Sequence, residues 1–91
     1  MEKSNIVFIG KKPVNNYVLA CMTLIKSGHN EVVVKARGRN ISHAVNVVEV
    51  LRNRYLPDAE VADIKIGTES IKGGDGPTNV STIDIHVKAK A

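Results

Sequence analysis

Two short basic segments hold the residues of this sequence whose types and spacing suit binding chemistry. The first, Gly10-Lys11-Lys12-Pro13, follows the apolar run Ile6-Val7-Phe8-Ile9 and precedes a segment of helical period. Pro13 suits the first helical position, and the N–H groups of a first helical turn have no partner within the helix. Two cationic side chains beside unpaired N–H groups are suited to hold a phosphate. A lysine pair on a surface turn is also typical of solvated charge, so the local sequence alone leaves both interpretations open.

The second basic segment is Lys35-Ala36-Arg37-Gly38-Arg39-Asn40. It ends the valine-rich run Glu31–Ala36, which is typical of a strand that is covered on at least one face. Asn40 is suited to cap a following helix. Strand-helix-strand units are almost always right-handed, which places successive strand-to-helix turns at the same end of a sheet. Four cations are therefore expected to converge on one surface, namely Lys11, Lys12, Arg37 and Arg39.

The apolar periodicity predicts the elements that position these two turns. Steps of three and four residues predict helices, and alternation predicts strands with one packed face. The predicted strands are residues 6–9, 31–36, 62–68 and 80–88, and the predicted helices are residues 13–27 and 41–55. Residues 73–79 are predicted to form a flexible hairpin tip. The expected fold is an α+β two-layer sandwich in the order β-α-β-α-β-β, with two helices on one face of a four-stranded mixed sheet.

The second predicted helix has an unusually wide apolar face. Its apolar stripe consists of Ile41, Ala44, Val45, Val48, Leu51 and Tyr55. Val47 and Val50 lie outside that stripe, which indicates burial against a partner subunit as well as against the sheet. A strand is the alternative interpretation of residues 45–51, but the spacing and the length favour a helix.

Length and composition limit the class of protein. The 91 residues, 43% hydrophobic and 24% charged, indicate one globular domain, residues 1–91, and exclude a disordered chain. Basic residues number 13 and acidic residues 9, and the net charge of +4 favours polyanionic partners where it is clustered. The 3% of aromatic residues is too low for the base-stacking platforms of single-strand-binding proteins. Cys21 is the single cysteine, so it permits no internal disulfide and gives no metal-ligand pattern. No cofactor is expected.

Four motifs in this sequence resemble the Alba family of archaeal chromatin proteins, in the same order. They are Gly10-Lys11-Lys12-Pro13-Val14, Asn16-Tyr17-Val18-Leu19-Ala20, Lys35-Ala36-Arg37-Gly38-Arg39 and Arg52-Asn53-Arg54-Tyr55-Leu56-Pro57. The similarity continues through Val80-Ser81-Thr82-Ile83. The resemblance implies a fold like the C-terminal domain of a bacterial translation initiation factor. It also implies a homodimer that binds double-stranded DNA with little sequence preference, and that binds RNA as well.

The resemblance assigns roles to the cations of the two turns. In the family the lysine pair of the first motif contacts nucleic acid, and this role carries over to Lys11 and Lys12. The first lysine of the pair can be acetylated in the family, which weakens binding, so Lys11 is a candidate for modification. The arginines of the second basic motif carry over to Arg37 and Arg39.

Other residues have less direct assignments. Asn16 and Tyr17 are nucleic-acid candidates, although Asn16 is equally typical of a solvated helix residue and the helical spacing of Tyr17 favours packing. Relatives often have Phe at the position of Tyr55, in a surface where dimers contact one another. The family's hairpin is an arm that follows the duplex, often with arginines. Here the tip has no cation and one acidic residue, Asp75, with only Lys72 beside it, so we expect the arm to contribute less affinity.

The leading hypothesis is a chromatin protein that coats and compacts DNA as a dimer through phosphate contacts that do not read bases. The alternative is a primarily RNA-binding protein, an RNA chaperone or a ribonucleoprotein subunit. Dimer–dimer assembly on DNA and a heterodimer with a paralogue are the further assemblies considered. An enzyme is not expected, because the carboxylates nearest His29, His43 and His86 fall on regular strand positions. Nothing resembles a signal peptide or a membrane span, so a cytoplasmic protein without a membrane partner is expected. The resemblance implies that it is chromosome-associated.

Overall fold

The computed structural model describes residues 5–74 and 76–89 of the chain. Its elements are β1 (Ile6–Phe8), α1 (Val14–Lys26), β2 (Glu31–Arg37), α2 (Ile41–Val50), β3 (Glu60–Gly73) and β4 (Gly76–Lys88). A 3₁₀ turn at Gly38–Asn40 leads into α2, and a π-helical turn at Leu51–Tyr55 continues it. The predicted element order, with two helices on a four-stranded mixed sheet, is confirmed.

The strands form one sheet in the order β1-β2-β4-β3. β1 is parallel to β2, whereas β4 is antiparallel to both β2 and β3. Alternate side chains of β2 and β4 face the helices and are buried, because successive residues of a strand point to opposite faces. These residues are Val32, Val34, Ala36, Ile83, Ile85 and Val87. They share one core with Val18 and Cys21 of α1 and with Ala44, Val47, Val48 and Leu51 of the second helix.

The β3–β4 hairpin extends well beyond the rest of the sheet. Arg37, the last residue of β2, pairs with Thr82 of β4, which in turn pairs with Gly67 of β3. Beyond that point, where β2 has ended, residues 68–73 pair with residues 76–81. We call this two-stranded segment the arm.

The arm corrects the predicted hairpin. The prediction of a tip over residues 73–79 is wrong, because β3 continues to Gly73 and β4 begins at Gly76. Glycine, threonine and asparagine in this segment are typical of turns, but main-chain pairing in a two-stranded ribbon does not require apolar alternation. Asp75, the predicted acidic residue of the tip, lies outside the described residues.

Phe8 corrects the prediction that the first strand is buried throughout. The strand ends at Phe8, whose side chain is 73% exposed. Phe8 lies on the sheet face opposite the helices, together with its register partner Lys35, whereas Val7 faces the helices and is buried. A short apolar run does not reveal which of its two faces a helix covers.

The second helix differs from its prediction in phase and in its start. Val47, predicted outside the apolar stripe, is fully buried, whereas Val45, predicted within it, is 41% exposed. When the apolar face of a helix is this wide, the sequence does not specify which of its residues face the sheet. Packing against the sheet decides which of them are buried. The Asn40 side chain makes no capping hydrogen bond, because the 3₁₀ turn already gives its backbone a helical conformation. Pro13 precedes α1 and does not occupy its first position.

Most of β3 has no packed face within this chain, contrary to the prediction of one buried side. Ile64 and Ile66 lie on the helix-facing side of the sheet, beside Ile85 and Ile83 of β4. Both remain exposed, at 54% and 82%, because α1 and α2 pack over β1, β2 and β4. An apolar edge of the sheet is therefore left uncovered at β3.

Candidate nucleic-acid interface

Both basic turns lie at one end of the sheet. β1 and β2 are parallel neighbours, and the N–H of Ile9 donates to the Lys35 carbonyl oxygen at 2.8 Å. The chain therefore leaves both strands at the same edge, into residues 10–13 and residues 37–40. The prediction that the two turns lie at the same end of the sheet is confirmed. We call this end of the sheet the basic edge, with the cations Lys11, Lys12, Arg37 and Arg39.

The first turn is held by the hydroxyl group of Tyr17, in the first half of α1. This oxygen accepts hydrogen bonds from the N–H groups of Gly10, at 2.9 Å, and of Lys12, at 3.0 Å. Gly10 permits the approach, because a Cβ at that position would lie 3.1 Å from the tyrosine oxygen. These two N–H groups are already satisfied, so neither is free to bind a phosphate. The sequence prediction for Tyr17 missed this positioning role.

His43 holds the same turn from the second helix. Its Nε2 lies 2.7 Å from the carbonyl oxygen of Lys12, and a carbonyl oxygen only accepts, so this nitrogen donates. The rings of His43 and Tyr17 also meet edge to face, with centroids 5.9 Å apart. These contacts join the first basic turn to the helix that follows the second. The sequence signal for this role is the position of His43 at the start of α2.

The cations of the basic edge differ in their electrostatic surroundings. Nη1 of Arg37 lies 2.6 Å from Oε1 of Glu69 in the arm, and the two side chains are 59% and 49% exposed. Lys11, Lys12 and Arg39 are exposed and form no ion pair with any residue in 5–74 or 76–89. Three cations are therefore open to an anionic ligand, whereas Arg37 already has a carboxylate partner. No local pattern in the sequence indicates that partner.

The remaining predicted site residues are spread over the molecule. The arm leaves the sheet at the basic edge, because it begins beyond the pair formed by Arg37 and Thr82. Lys72 is exposed near the end of the arm, and Asn16 is exposed in the first turn of α1. Tyr55 ends the helical segment that leads away from the basic edge, so it lies apart from the four cations.

The histidines and the cysteine are the other candidates for chemistry. Nδ1 of His86 lies 3.1 Å from a carboxylate oxygen of Glu31, on the open face of the sheet. Cys21 is fully buried, and burial raises the pKa of its thiol to about 11, the opposite of activation. Residues 5–74 and 76–89 contain no group of three or more His, Cys, Asp or Glu side chains that could hold a metal ion. None of the helices described has the length and apolar character needed to cross a membrane.

Comparison with known proteins identifies the family. The sequence profile of the Alba family matches residues 5–68, which is most of the chain. The chain belongs to the Alba family. The DNA/RNA-binding protein Alba 1 of Archaeoglobus fulgidus is 56% identical over 86 residues, which cover 94% of this chain and 97% of the relative. The DNA/RNA-binding protein Alba of Thermoplasma acidophilum is 47% identical over 85 residues, which cover 93% and 96% of the two chains.

Solved Alba structures have the same fold. Alba from Thermoplasma volcanium matches with a TM-score of 0.87 at 44% identity, over 91% of this chain and 98% of that chain. ALBA1 from Trypanosoma brucei matches with a TM-score of 0.79 at 27% identity, over 98% of this chain and 72% of that chain. The Alba relatives are named as DNA/RNA-binding proteins and not as enzymes, in agreement with the prediction that this chain is not an enzyme.

Replacing Tyr17 by phenylalanine tests whether its hydroxyl group positions the lysine turn of this Alba chain. Tyr17→Phe keeps the ring and removes the oxygen that accepts from Gly10 and Lys12. We expect both amide protons to exchange with solvent about tenfold faster, as measured by NMR. His43→Ala is the control, because it removes the bond to the Lys12 carbonyl and leaves the tyrosine oxygen in place. Unchanged exchange at both amides in Tyr17→Phe would contradict the positioning role.

Proposed function

We propose that this chain coats and compacts double-stranded DNA as a dimer, without reading the bases, and that it also binds RNA. The observation that carries the proposal is the basic edge, where two turns distant in sequence come together. Phosphate contacts from lysine and arginine position a protein on nucleic acid but carry no sequence information. The net charge of +4 and the names of the DNA/RNA-binding relatives support a polyanionic ligand.

The proposal includes regulation at Lys11. This lysine is exposed and lies in the turn held by Tyr17 and His43. Acetylation would remove its charge and with it one phosphate contact per subunit. We propose that the protein works in the cytoplasm, in association with the chromosome.

Salt dependence tests the phosphate contacts. In a dimer, Lys11→Ala removes two contacts, so the salt dependence of duplex binding should weaken by about 1.8 log units of affinity per log unit of salt. Fluorescence anisotropy with labelled duplex DNA, between about 50 and 200 mM salt, measures this slope. Lys26→Ala is the matched control, because it removes the same charge from the last turn of α1, away from the basic edge. A slope near zero for the unmodified chain, or equal changes in both variants, would count against the proposal.

Glu69 is proposed to compete with phosphate for Arg37. Their ion pair is half exposed, so an incoming phosphate can reach Arg37 and take the place of the carboxylate. Breaking the ion pair opposes this exchange and lowers the affinity for phosphate. Glu69→Gln is expected to raise duplex affinity about two- to tenfold. Glu49→Gln is the matched control, because Glu49 pairs with Arg52 at the same 2.6 Å on the second helix.

The same substitution in an Arg37→Ala variant shows whether the gain in duplex affinity depends on Arg37. If the carboxylate acts on Arg37, Glu69→Gln should raise affinity in the unmodified chain and have little effect once Arg37 is absent. If Glu69→Gln raises duplex affinity equally in both backgrounds, or if Glu49→Gln raises it as much, the change in net charge explains the result. Either outcome would refute competition between Glu69 and phosphate for Arg37.

A primarily RNA-binding protein is the alternative function. The charges of the basic edge suit the phosphates of DNA and RNA alike, so charge alone does not favour either ligand. The exposed ring of Phe8 beside that edge favours RNA, because proteins recognise RNA largely through unpaired bases that stack on aromatic side chains. Competition between duplex DNA and structured RNA at equal salt distinguishes the two functions.

The uncovered edge at β3 supports the proposed homodimer. Ile64 and Ile66 are exposed there, and Ile66 borders a shallow cleft of about 440 Å³ together with Ile41 and Ile83. A cluster of exposed apolar side chains beside a core marks a protein contact surface. A two-fold dimer would cover this edge and present two basic edges to one nucleic acid. Further assembly through the exposed ring of Tyr55, or pairing with a paralogue, is proposed from the family resemblance.

An aspartate in the uncovered edge tests the dimer. Ile66→Asp would bury a carboxylate without a partner, so we expect the dimer to dissociate and duplex affinity to fall. Sedimentation equilibrium measures the mass, and circular dichroism checks the fold. Leu19→Asp is the matched control, because Leu19 is an exposed apolar residue of α1 outside this edge. A dimer that persists in Ile66→Asp would contradict the proposed contact surface.

A further inference from the structure

Phe8 is the most exposed of the three aromatic side chains, at 73% against 50% for Tyr55. A single exposed apolar side chain needs no explanation in itself, so its place in the fold decides its meaning. Phe8 ends β1 two residues before the first basic turn, and it lies on the open face of the sheet beside Lys35. An aromatic ring therefore lies at the end of the sheet that carries the proposed phosphate-binding cations.

Phe8 borders a groove of about 710 Å³ on the open face of the sheet. The groove crosses from β1 to the base of the arm, because its walls include Arg37 of β2, Thr82 of β4 and Glu69 of β3. Asn40 contributes a neutral amide group to the walls, and Thr82 contributes a neutral hydroxyl group. One aromatic ring and two neutral hydrogen-bonding groups thus share a groove that opens at the basic edge.

The charges within the groove largely cancel. Nζ of Lys35 lies 3.6 Å from a carboxylate oxygen of Asp84, and Arg37 pairs with Glu69 at 2.6 Å. A phosphate gains less from cations that already have carboxylate partners than from the open lysines of the first turn. A neutral heterocycle suits this groove better, since carboxylates accept hydrogen bonds from its amino groups and its face stacks on the ring.

We propose that this groove holds one unpaired nucleobase of a single-stranded nucleic acid, stacked on Phe8, with the flanking phosphates on the basic edge. The inference rests on the proposed function and names the part of the ligand that the groove recognises. Bases within a duplex are already stacked, so only single strands, loops and ends offer a free base. One ring per subunit suffices to stack one base. The low aromatic content therefore argues against a platform that stacks several bases, but not against a site for a single base.

Binding of labelled oligonucleotides tests this inference. The probes are an unstructured single-stranded RNA, a single-stranded DNA of the same sequence, an abasic strand of the same length, and a duplex. Phe8→Ala is expected to weaken binding of both single strands about 5- to 150-fold and to leave the abasic strand and the duplex largely unchanged. Phe8→Tyr keeps the ring and should bind like the unmodified chain. Leu19→Ala is the control for loss of an exposed apolar side chain elsewhere.

Three results would overturn the base site. They are an equal loss on duplex and single strands, a loss on the abasic strand, and a change in oligomeric state in Phe8→Ala, which would assign the ring to a contact between copies. If Phe8→Ala fails to fold, Phe8→Leu removes the ring while it keeps an apolar side chain, and the same comparison applies. Unchanged affinity for every probe in Lys11→Ala would refute the proposed function instead, so the two failures are distinguishable.

Discussion

Parallel pairing of β1 with β2 is the constraint on which the basic edge depends. Parallel neighbours cannot be joined by a tight turn, so α1 must return the chain across the sheet between them. The C-terminal ends of both strands then share one edge, and each strand continues there into a basic turn. Antiparallel pairing of the same two segments would send the turns to opposite ends and separate the lysines from the arginines. Main-chain hydrogen bonds, such as Ile9 to Lys35 at 2.8 Å, therefore determine where charge accumulates.

Two side chains then determine the shape of the first turn. Tyr17 satisfies N–H groups of the turn and His43 satisfies a carbonyl, so its polar main-chain groups are bonded from two different helices. Lysine side chains lose conformational entropy when they bind a ligand. Because the backbone of the turn is already held in place, binding does not have to order the turn as well. The close contact between the two rings also links α1 to α2 at the basic edge, where each helix begins.

The element order and the convergence of the turns could be predicted because both follow from local periodicity and the usual hand of strand-helix-strand units. The burial of individual residues could not, because it depends on which face a distant element covers. Phe8 is exposed for this reason, and Val45 and Val47 exchange their predicted burial. The contacts that shape the site are also distant in sequence: His43 to Lys12 spans 31 positions and Arg37 to Glu69 spans 32. A single sequence carries no local pattern for such pairs.

The number of cations is a poor measure of what the basic edge offers to an anion. Arg37 and Arg39 each carry one positive charge, yet of the two only Arg37 has a carboxylate within 4 Å among the described residues. Because that ion pair is half exposed, it orients the guanidinium without burying it, and solvent keeps the attraction weak. Orientation favours binding, whereas competition from the carboxylate opposes it, so the two effects of Glu69 act in opposite directions. Which cations have acidic neighbours therefore matters more at this edge than how many cations there are.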